Sequence, residues 1–408
     1  MKELNVYLNF SETDKIFVGT LAESGNRIFF EYDASFLLDP LWLSPYKLPP
    51  KPGLFEHKDK DFGPVFGLFD DSLPDGWGLL LMDRFLRKQG VDTDRLSVLD
   101  RLAFLGKHTM GALIYEPAAK HEKTDKHLDL EALAQHSRQI MEGEAVDILP
   151  ALMKAGGSPG GARPKILAGV KADTLLSDEH DLPPGFEPWL IKFNSTQDSP
   201  DAGAVEFAYS MMAKQAGIIM PETRLFESGP QNRYFGIKRF DRKHNHRFHV
   251  HTFGNLIHSN FRVPECDYET FLKVVLDLTK NHKDLEKGFR RMIFNVMANN
   301  RDDHVKNFAF MLDAKKEWTL TPAYDLTFSK GPGGEHSMSI SGESGTPGKK
   351  EVLRLGEKTG LSFHKIRDII GEVAASIERW PDFAKAADVG NQTRNQIWKK
   401  IKTNLSFF

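Results

Sequence analysis

Cysteine, net charge and long apolar runs are the three things that this sequence has little of. Cys266 is the single cysteine among 408 residues, so no intrachain disulfide can form and a reducing compartment is expected. The formal net charge of −2 gives no overall field that would draw the chain onto nucleic acid or anionic membrane. No apolar stretch is long enough to span a bilayer, and the N-terminal residues carry no signal-peptide core. We therefore expect a cytoplasmic protein with no membrane contact.

What is present is a chain of mixed patterning that is long enough for two or three units. Alternating apolar residues predict short strands in the first half, whereas helical spacing dominates from Asp267 onward. The patterns predict an α+β fold with a β-rich subdomain at residues 1–116, a second unit with strands at 117–256 and an all-helical C-terminal lobe at 257–408.

The residues before position 155 show no catalytic pattern. Helical spacing predicts helices over Leu130–Gly143 and Ala145–Lys154. Asp70, Asp71 and Trp77 are the polar and aromatic residues that stand out in the N-terminal subdomain, and we interpret them as structural rather than functional.

The segment with the most specific chemistry is a polar loop followed by a predicted hairpin. Asp302 and Asn307 have the spacing Asp-x-x-x-x-Asn of a protein-kinase catalytic loop. The apolar runs Phe308–Leu312 and Trp318–Leu320 predict two strands, which would return Asp325 toward this loop. A proton-accepting aspartate and hard oxygen ligands for Mg²⁺ are what phosphoryl transfer from ATP requires. The alternative interpretation is an acidic, solvated loop before an ordinary hairpin.

A glycine-rich loop before a predicted strand is a candidate phosphate site. Glycines allow backbone N–H groups to approach phosphates closely. The loop lacks the Gly-Lys-Ser/Thr ending of a Walker A sequence. By itself it is equally consistent with a flexible surface turn. The residues concerned are Ser158, Gly160, Gly161, Ala162 and Lys165.

Three further positions fit a nucleotide site. Lys192 ends an apolar strand, where a lysine is costly unless it meets an anion. Glu206 lies at the start of a predicted helix and is either the partner of Lys192 or a favourable charge for the helix dipole. Lys238 and Phe240 follow two later strands, and we expect their backbone groups to bind adenine as a hinge.

The ordered set of these segments resembles the HipA family of bacterial serine/threonine kinase toxins. The first 116 residues are similar to the family's N-terminal subdomain. Arg163 and Pro164 depart from the family pattern. Pro164 has no backbone N–H, so it removes one donor from the phosphate loop. The matching segments are, in chain order, Ser158–Lys165, Trp189–Phe193, Glu206, Lys238–Arg242, Asp302–Phe308 and Thr321–Leu326.

The resemblance implies a two-lobed, protein-kinase-like fold and assigns roles within it. It implies that Asp302, not Asp303, is the catalytic base, and that Asn307 and Asp325 hold Mg²⁺. It also implies that Ser158 is autophosphorylated and that Glu206 supports the strand lysine. The resemblance also implies which residues contact ATP, namely Ser158, Gly160, Gly161, Ala162, Lys165, Lys192, Lys238, Phe240, His304 and Lys306.

The same resemblance implies partners. The phosphate acceptor would be a cytosolic protein, and the usual partner would be an antitoxin of the HipB kind with a helix-turn-helix. DNA would then be bound only indirectly, through that antitoxin.

Other functions remain open from the residues alone. A small-molecule kinase of the aminoglycoside-phosphotransferase kind shares the catalytic spacing. A pseudokinase scaffold in a repressor complex is disfavoured by the intact Asp302, Asn307, Asp325 and Lys192. A hydrolase metal cluster of Asp302, Asp303 and His304 lacks a second histidine at metal-ligand spacing.

Overall fold

The protein is described here from a computed structural model. Most of the helix expected at Ala145–Lys154 lies outside the residues that it describes, and so does Ser158. The described residues are 1–119, 127–144, 152–153, 160–177, 182–195, 198–228, 232–313 and 315–408.

The N-terminal part is an antiparallel sheet with helices packed beside it. Its strands are β1 (Lys2–Ser11), β2 (Asp14–Ser24), β3 (Arg27–Tyr32), β4 (Leu54–Glu56) and β5 (Leu113–Glu116). The helices that follow are α1 (Gly67–Asp70), α2 (Gly76–Lys88) and α3 (Val98–Leu105). The strand order is β4-β3-β2-β1-β5. In β1, Leu4 and Val6 are buried and Asn5 between them is exposed, as the alternation of side chains in a half-buried strand requires.

A second antiparallel sheet has the order β7-β6-β8-β10-β9. Its strands and the helices beside it are β6 (Lys165–Lys171), β7 (Thr174–Leu176), β8 (Glu187–Lys192), β9 (Thr223–Ser228), β10 (Asn232–Lys238), α4 (Leu130–Met141) and α5 (Ala202–Gln215). The register between β6 and β8 places Lys165 directly opposite Lys192. Opposite residues project from the same face of a sheet, so this pairing brings the two lysines side by side.

The remaining part is mainly helical, and it begins where the sequence predicted the change. Asp267 caps a helix, because its Oδ1 accepts a hydrogen bond of 2.7 Å from the Thr270 amide. Asn281 caps the next helix in the same way through the Lys283 amide, at 2.9 Å. The helices are α6 (Phe253–Ile257), α7 (Tyr268–Thr279), α8 (His282–Met297), α9 (Lys349–Lys358), α10 (Phe363–Ile377), α11 (Trp380–Ala386) and α12 (Asn391–Leu405).

The expectation of an all-helical C-terminal lobe is wrong in one respect. The hairpin predicted after the polar loop of Asp302 and Asn307 is confirmed as β14 (Ala309–Leu312) and β15 (Trp318–Leu320). It joins β13 (His249–Thr252) in a three-stranded sheet of order β13-β14-β15. These strands form because the apolar sequence of β14 is buried there and its backbone pairs with strands on both sides. A short ribbon of β11 (Arg242–Lys243) and β12 (His246–Arg247) precedes it.

Buried apolar side chains connect the N-terminal part to the second sheet. Trp77 and Leu81 of α2 belong to the same buried cluster as Ile166 and Trp189 of that sheet. Each fully buried leucine contributes roughly 1.5–3 kcal/mol, so this packing fixes α2 beside β6. Among the described residues, no helix combines the length and apolarity needed to cross a bilayer.

Candidate active site

The loop after α8 separates two adjacent carboxylates into different environments. Asp303 is buried and accepts hydrogen bonds from the Tyr268 hydroxyl at 2.7 Å and from the Ser337 amide at 2.8 Å. His336 Nδ1 lies 2.8 Å from the same carboxylate. By contrast, the side chain of Asp302 is 56% exposed. Asp303 is therefore committed to holding the loop, and Asp302 is the carboxylate that a substrate can reach.

The environment of Asp302 favours a proton acceptor. Although much of the side chain is exposed, partial desolvation by the surrounding protein raises the pKa of Asp302, and the negative charges of Asp325 and Asp303 raise it further. His304 opposes this shift, and its Nε2 lies 3.9 Å from Asp302 Oδ1. A carboxylate whose pKa is raised from its ordinary value is a better base than an unperturbed one.

Asn307 and Asp325 fit the ligand requirements of Mg²⁺, which prefers oxygen donors. The Asn307 amide nitrogen donates to the Asp302 carbonyl oxygen at 2.5 Å, which leaves the amide oxygen as the atom for a metal. Asp325 adopts a left-handed backbone conformation with φ 58°. That conformation is uncommon outside glycine and is often found at functional sites.

A buried ion-pair network surrounds the strand lysine. Lys192 Nζ donates to Glu206 Oε1 at 2.6 Å and to Asp325 Oδ1 at 2.5 Å. Burial disfavours the charge on Lys192, but Asp325 and Glu206 outweigh it and raise the pKa of that lysine. Burial raises the pKa of Glu206, and the charge of Lys192 opposes that shift. Burial would also raise the pKa of Asp325, but Lys192 and Lys165 outweigh it and hold that pKa well below its usual range. Glu206 is thus a partner of Lys192. It lies beyond the first turn of α5, which begins at Ala202, so the alternative of a helix-dipole charge is not supported.

Lys165 is the second cation of this site and has no carboxylate bonded to it in the described structure. Its Nζ donates to the Gly160 carbonyl oxygen. Burial lowers the pKa of Lys165 to about 8, and Lys192 beside it lowers it further, although Asp325 opposes the shift. Lys165 is thus a buried cation that an anionic group would stabilise, whereas Lys192 beside it is already balanced by Glu206 and Asp325.

Arg163 adds a third cation that sequence reasoning treated only as a departure from a pattern. Its guanidinium lies 3.1 Å from Asp198 Oδ1 and 3.9 Å from Glu206 Oε2. Asp198 lies more than thirty residues away along the chain, so no local signal predicted the pair. Ala162 beside it packs closely on the N-terminal part, because an added Cβ at Gly76 would lie 2.8 Å from the Ala162 Cα.

Lys306, four residues after Asp302, lies against acids of the N-terminal part. Its Nζ is 3.1 Å from Asp70 Oδ2 and 3.9 Å from Asp75 Oδ2. The structural interpretation of Asp71 fits its buried contacts, since its Oδ1 accepts a 2.7 Å hydrogen bond from the Thr252 hydroxyl. Asp70 and Asp75, however, reach the catalytic loop, which sequence reasoning missed because those contacts join residues more than 200 positions apart.

Lys238 and Phe240, which are expected to bind adenine, contact other residues of the chain. The Lys238 amide donates to the Glu222 carbonyl oxygen at 2.9 Å, and its Nζ lies 2.5 Å from Glu187 Oε1. The Phe240 ring stacks on the ring of Tyr324, with centroids 5.6 Å apart. Tyr324 directly precedes Asp325 in the sequence. The hinge role of Lys238 and Phe240 remains a prediction.

Directly after Phe240, a buried carboxylate links the N-terminal part to the centre of the chain. Asp241 Oδ2 lies 2.7 Å from Arg239 and 2.6 Å from Arg242. It also accepts a 2.9 Å hydrogen bond from the Gly111 amide. Arg242 Nη1 donates to the Gly111 carbonyl oxygen at 2.9 Å. This cluster is a structural connection next to the site.

Comparison with known families places this fold and site. A family model described as the HipA N-terminal domain matches residues 5–116, and one described as the HipA-like C-terminal domain matches residues 157–380. The second match alone covers more than half of the chain. The chain belongs to the HipA family.

Individual relatives agree with this assignment at low identity. A Sinorhizobium fredii protein provisionally described as a kinase is 28% identical over 151 residues, which are 34% of this chain and 36% of the relative. A Haemophilus influenzae protein with the same provisional description is 27% identical over 170 residues, 38% of this chain and 50% of the relative. The match thus spans half or less of the length of these relatives.

A solved structure matches almost the whole fold. The HipA of Shewanella oneidensis, determined in a complex with HipB and its operator DNA, superimposes with a TM-score of 0.72 at 16% identity. The match covers 98% of this chain and 95% of that one. At this identity the likeness shows that the two chains share a fold.

Proposed function

We propose that this chain is a HipA-like serine/threonine protein kinase, the toxin of a toxin–antitoxin pair. It transfers the γ-phosphoryl group of ATP to a hydroxyl group of a cytosolic protein. The observation that carries the proposal is the pairing of Lys192 with Glu206 and Asp325 next to the exposed Asp302. That combination of a held strand lysine, a loop aspartate for metal and an accessible base serves phosphoryl transfer.

The proposal includes a two-lobed kinase arrangement. Residues 117–256 form the nucleotide-binding N-lobe, residues 257–408 form the C-lobe with the catalytic loop, and residues 1–116 form an additional subdomain. ATP lies between the lobes, with its phosphates against the glycine loop and its adenine against Lys238 and Phe240. The paired register of β6 and β8 supports this placement, because it directs two lysines to one face.

Each side chain then has one task. Lys165 and Lys192 bind and orient the phosphates, with His304 and Lys306 flanking them, and Gly160, Gly161 and Ala162 allow the backbone to approach. Asp302 orients the acceptor hydroxyl and takes its proton as the oxygen forms a bond to the γ-phosphorus and the bond to the ADP oxygen breaks. Asn307 and Asp325 would hold Mg²⁺, which would supply charge neutralisation for the phosphates.

The proposed partner is a helix-turn-helix antitoxin of the HipB kind. The chain's net charge of −2 gives it little attraction for DNA, so binding to an operator would come from the partner. The shared fold with a HipA that was solved with HipB and operator DNA supports this partner class.

An assay that offers the protein two classes of acceptor distinguishes a protein kinase from a small-molecule kinase. The protein is incubated with γ-labelled ATP and either a dialysed extract of cell proteins or a panel of sugars and aminoglycosides. We expect label in one or a few protein bands and none in the small molecules. Label confined to a small molecule would favour the phosphotransferase alternative, and no ATP consumption with any acceptor would favour a scaffold.

The charge on Lys165 predicts a pH dependence of ATP affinity. Its pKa is lowered by burial to about 8, so the ammonium is present below that pH and lost above it. We expect the Kd for ATP to rise about tenfold between about pH 7 and about pH 9.5, because the neutral amine attracts phosphate less. Lys165→Arg should flatten this profile, since arginine stays charged throughout. An unchanged Kd in the unsubstituted protein over this range would show that Lys165 does not contact the phosphates.

Ser158 is proposed to be a self-inactivating switch. It lies outside the described residues, so the proposal comes from its place in the glycine loop and from the family resemblance. A phosphoserine carries about −1.5 to −2 charges and would compete with ATP phosphates for the same cations. Mass spectrometry after incubation with Mg·ATP should find phosphate on Ser158 in the active protein and none in Asp302→Asn. A protein that labels other proteins but never carries phosphate at Ser158 would refute the switch.

A further inference from the structure

A carboxylate of the N-terminal part, Asp75, lies on the glycine loop. Its Oδ1 accepts a hydrogen bond from the Gly161 amide. It also approaches Gly160, where an added Cβ would lie 3.1 Å from Oδ1 and 3.5 Å from Oδ2. Backbone amides of glycine-rich loops are donors for phosphate oxygens. The Asp75 carboxylate therefore accepts a hydrogen bond from a backbone amide of the kind that binds phosphate oxygens.

Helix capping does not explain this contact. Asp75 precedes α2 in an extended conformation, with φ −120° and ψ 175°, and its side chain makes no capping hydrogen bond. Aspartate is among the preferred capping residues, so its carboxylate forgoes a favourable local bond. The next residues fix the same loop from the other side. The Trp77 amide donates to the Gly161 carbonyl oxygen at 3.0 Å, and Trp77 Nε1 donates to the Lys165 carbonyl oxygen at 3.1 Å.

A cation of the catalytic loop stands next to the same carboxylate. Lys306 Nζ is 3.9 Å from Asp75 Oδ2 and is closer, at 3.1 Å, to Asp70 Oδ2. Lys306 Nζ is thus a basic group within reach of the Asp75 carboxylate. Asp75 lies between the glycine loop and the catalytic loop.

We propose that Asp75 is a positioning residue that competes with a phosphate group of ATP for the Gly161 amide and so limits nucleotide affinity. One N–H group cannot serve both anions, and the two negative charges repel each other. When a phosphate takes the amide, Asp75 turns to Lys306 and joins the glycine loop to the catalytic loop through the N-terminal part. This inference rests on the proposed function, because it assigns the glycine loop to ATP.

Substitutions that remove only the charge test the inference. Asp75→Asn keeps the size of the side chain, and Asp75→Ser keeps a residue that caps helices well. Both should bind Mg·ATP about three- to tenfold more tightly than the unsubstituted protein in a calorimetric titration. Adenosine has no phosphate, so its affinity should not change. The matched control is Asp83→Asn, which removes a similarly buried carboxylate from α2, the helix that Asp75 precedes; Asp83 pairs there with Arg101 at 2.6 Å. Its Mg·ATP affinity should equal that of the unsubstituted protein.

The outcomes separate the inference from the function on which it rests. Unchanged or weaker Mg·ATP binding in both Asp75 variants, with normal binding by the unsubstituted protein, would overturn the role of Asp75 and leave the ATP site intact. Equal gains for ATP and adenosine would also overturn it, because they would indicate a general loosening of the loop. An unsubstituted protein that binds no ATP would overturn both proposals.

Discussion

Asp302→Asn is expected to lower phosphoryl transfer by at least about 100-fold while the affinity for Mg·ATP stays within about twofold. Asparagine has nearly the same shape, so the loop keeps its geometry, but it cannot accept the hydroxyl proton. The carboxylate is 56% exposed, whereas the neighbouring Asp303 is used in buried hydrogen bonds. Single-turnover transfer and nucleotide titration on the same preparation measure the two effects separately.

The control for this variant is Asp39→Asn, which also removes one exposed carboxylate. Asp39 is 85% exposed and pairs only on the surface, with Lys316 at 2.5 Å, so transfer should be unchanged. Full transfer activity in Asp302→Asn would show that another group is the base. An equal loss of transfer in both variants would show that the effect is not specific to the catalytic loop.

Asp241→Asn is expected to lower the free energy of unfolding by about 3–5 kcal/mol. Asp241 is 2% exposed and lies between the guanidinium groups of Arg239 and Arg242, so removing its charge breaks two buried ion pairs at once. The two arginines hold the pKa of this carboxylate far below its usual range against the cost of burial, which shows how strongly the site requires the anion. Guanidinium denaturation followed by tryptophan fluorescence measures the change.

A matched control distinguishes burial from charge alone. Asp388 also pairs with an arginine, Arg233, at 3.0 Å, but its side chain is 94% exposed. Asp388→Asn should therefore cost less than about 1 kcal/mol. Equal costs at the two positions would contradict the view that the Asp241 cluster is an essential buried connection.

The features that the sequence predicted are those encoded by nearby residues. The helical pattern from Asp267 onward and the hairpin of β14 and β15 follow from local periodicity, and both are confirmed. The pairing of Lys192 with Glu206 was one of two open alternatives, and a 2.6 Å contact decides for it. A lysine in an apolar strand was informative because such a charge is costly to bury unless it is paired.

The features that could not be predicted depend on residues far apart in the chain. The contacts of Asp70 and Asp75 with Lys306 require the N-terminal part to pack on the catalytic loop. No periodicity of a single segment encodes that packing. The register that places Lys165 opposite Lys192 is also set by pairing between strands, and a shift of one residue would separate the lysines.

The central claim is that this chain moves the γ-phosphoryl group of ATP to a protein hydroxyl group. Its most direct test is to incubate the protein with γ-labelled ATP, Mg²⁺ and cell proteins, and then to identify the labelled amino acid after hydrolysis of the labelled band. The account predicts phosphoserine or phosphothreonine that forms with the unsubstituted protein and is absent with Asp302→Asn. Label that forms equally with Asp302→Asn, or no labelled protein at all with an extract that contains the natural acceptor, would contradict it.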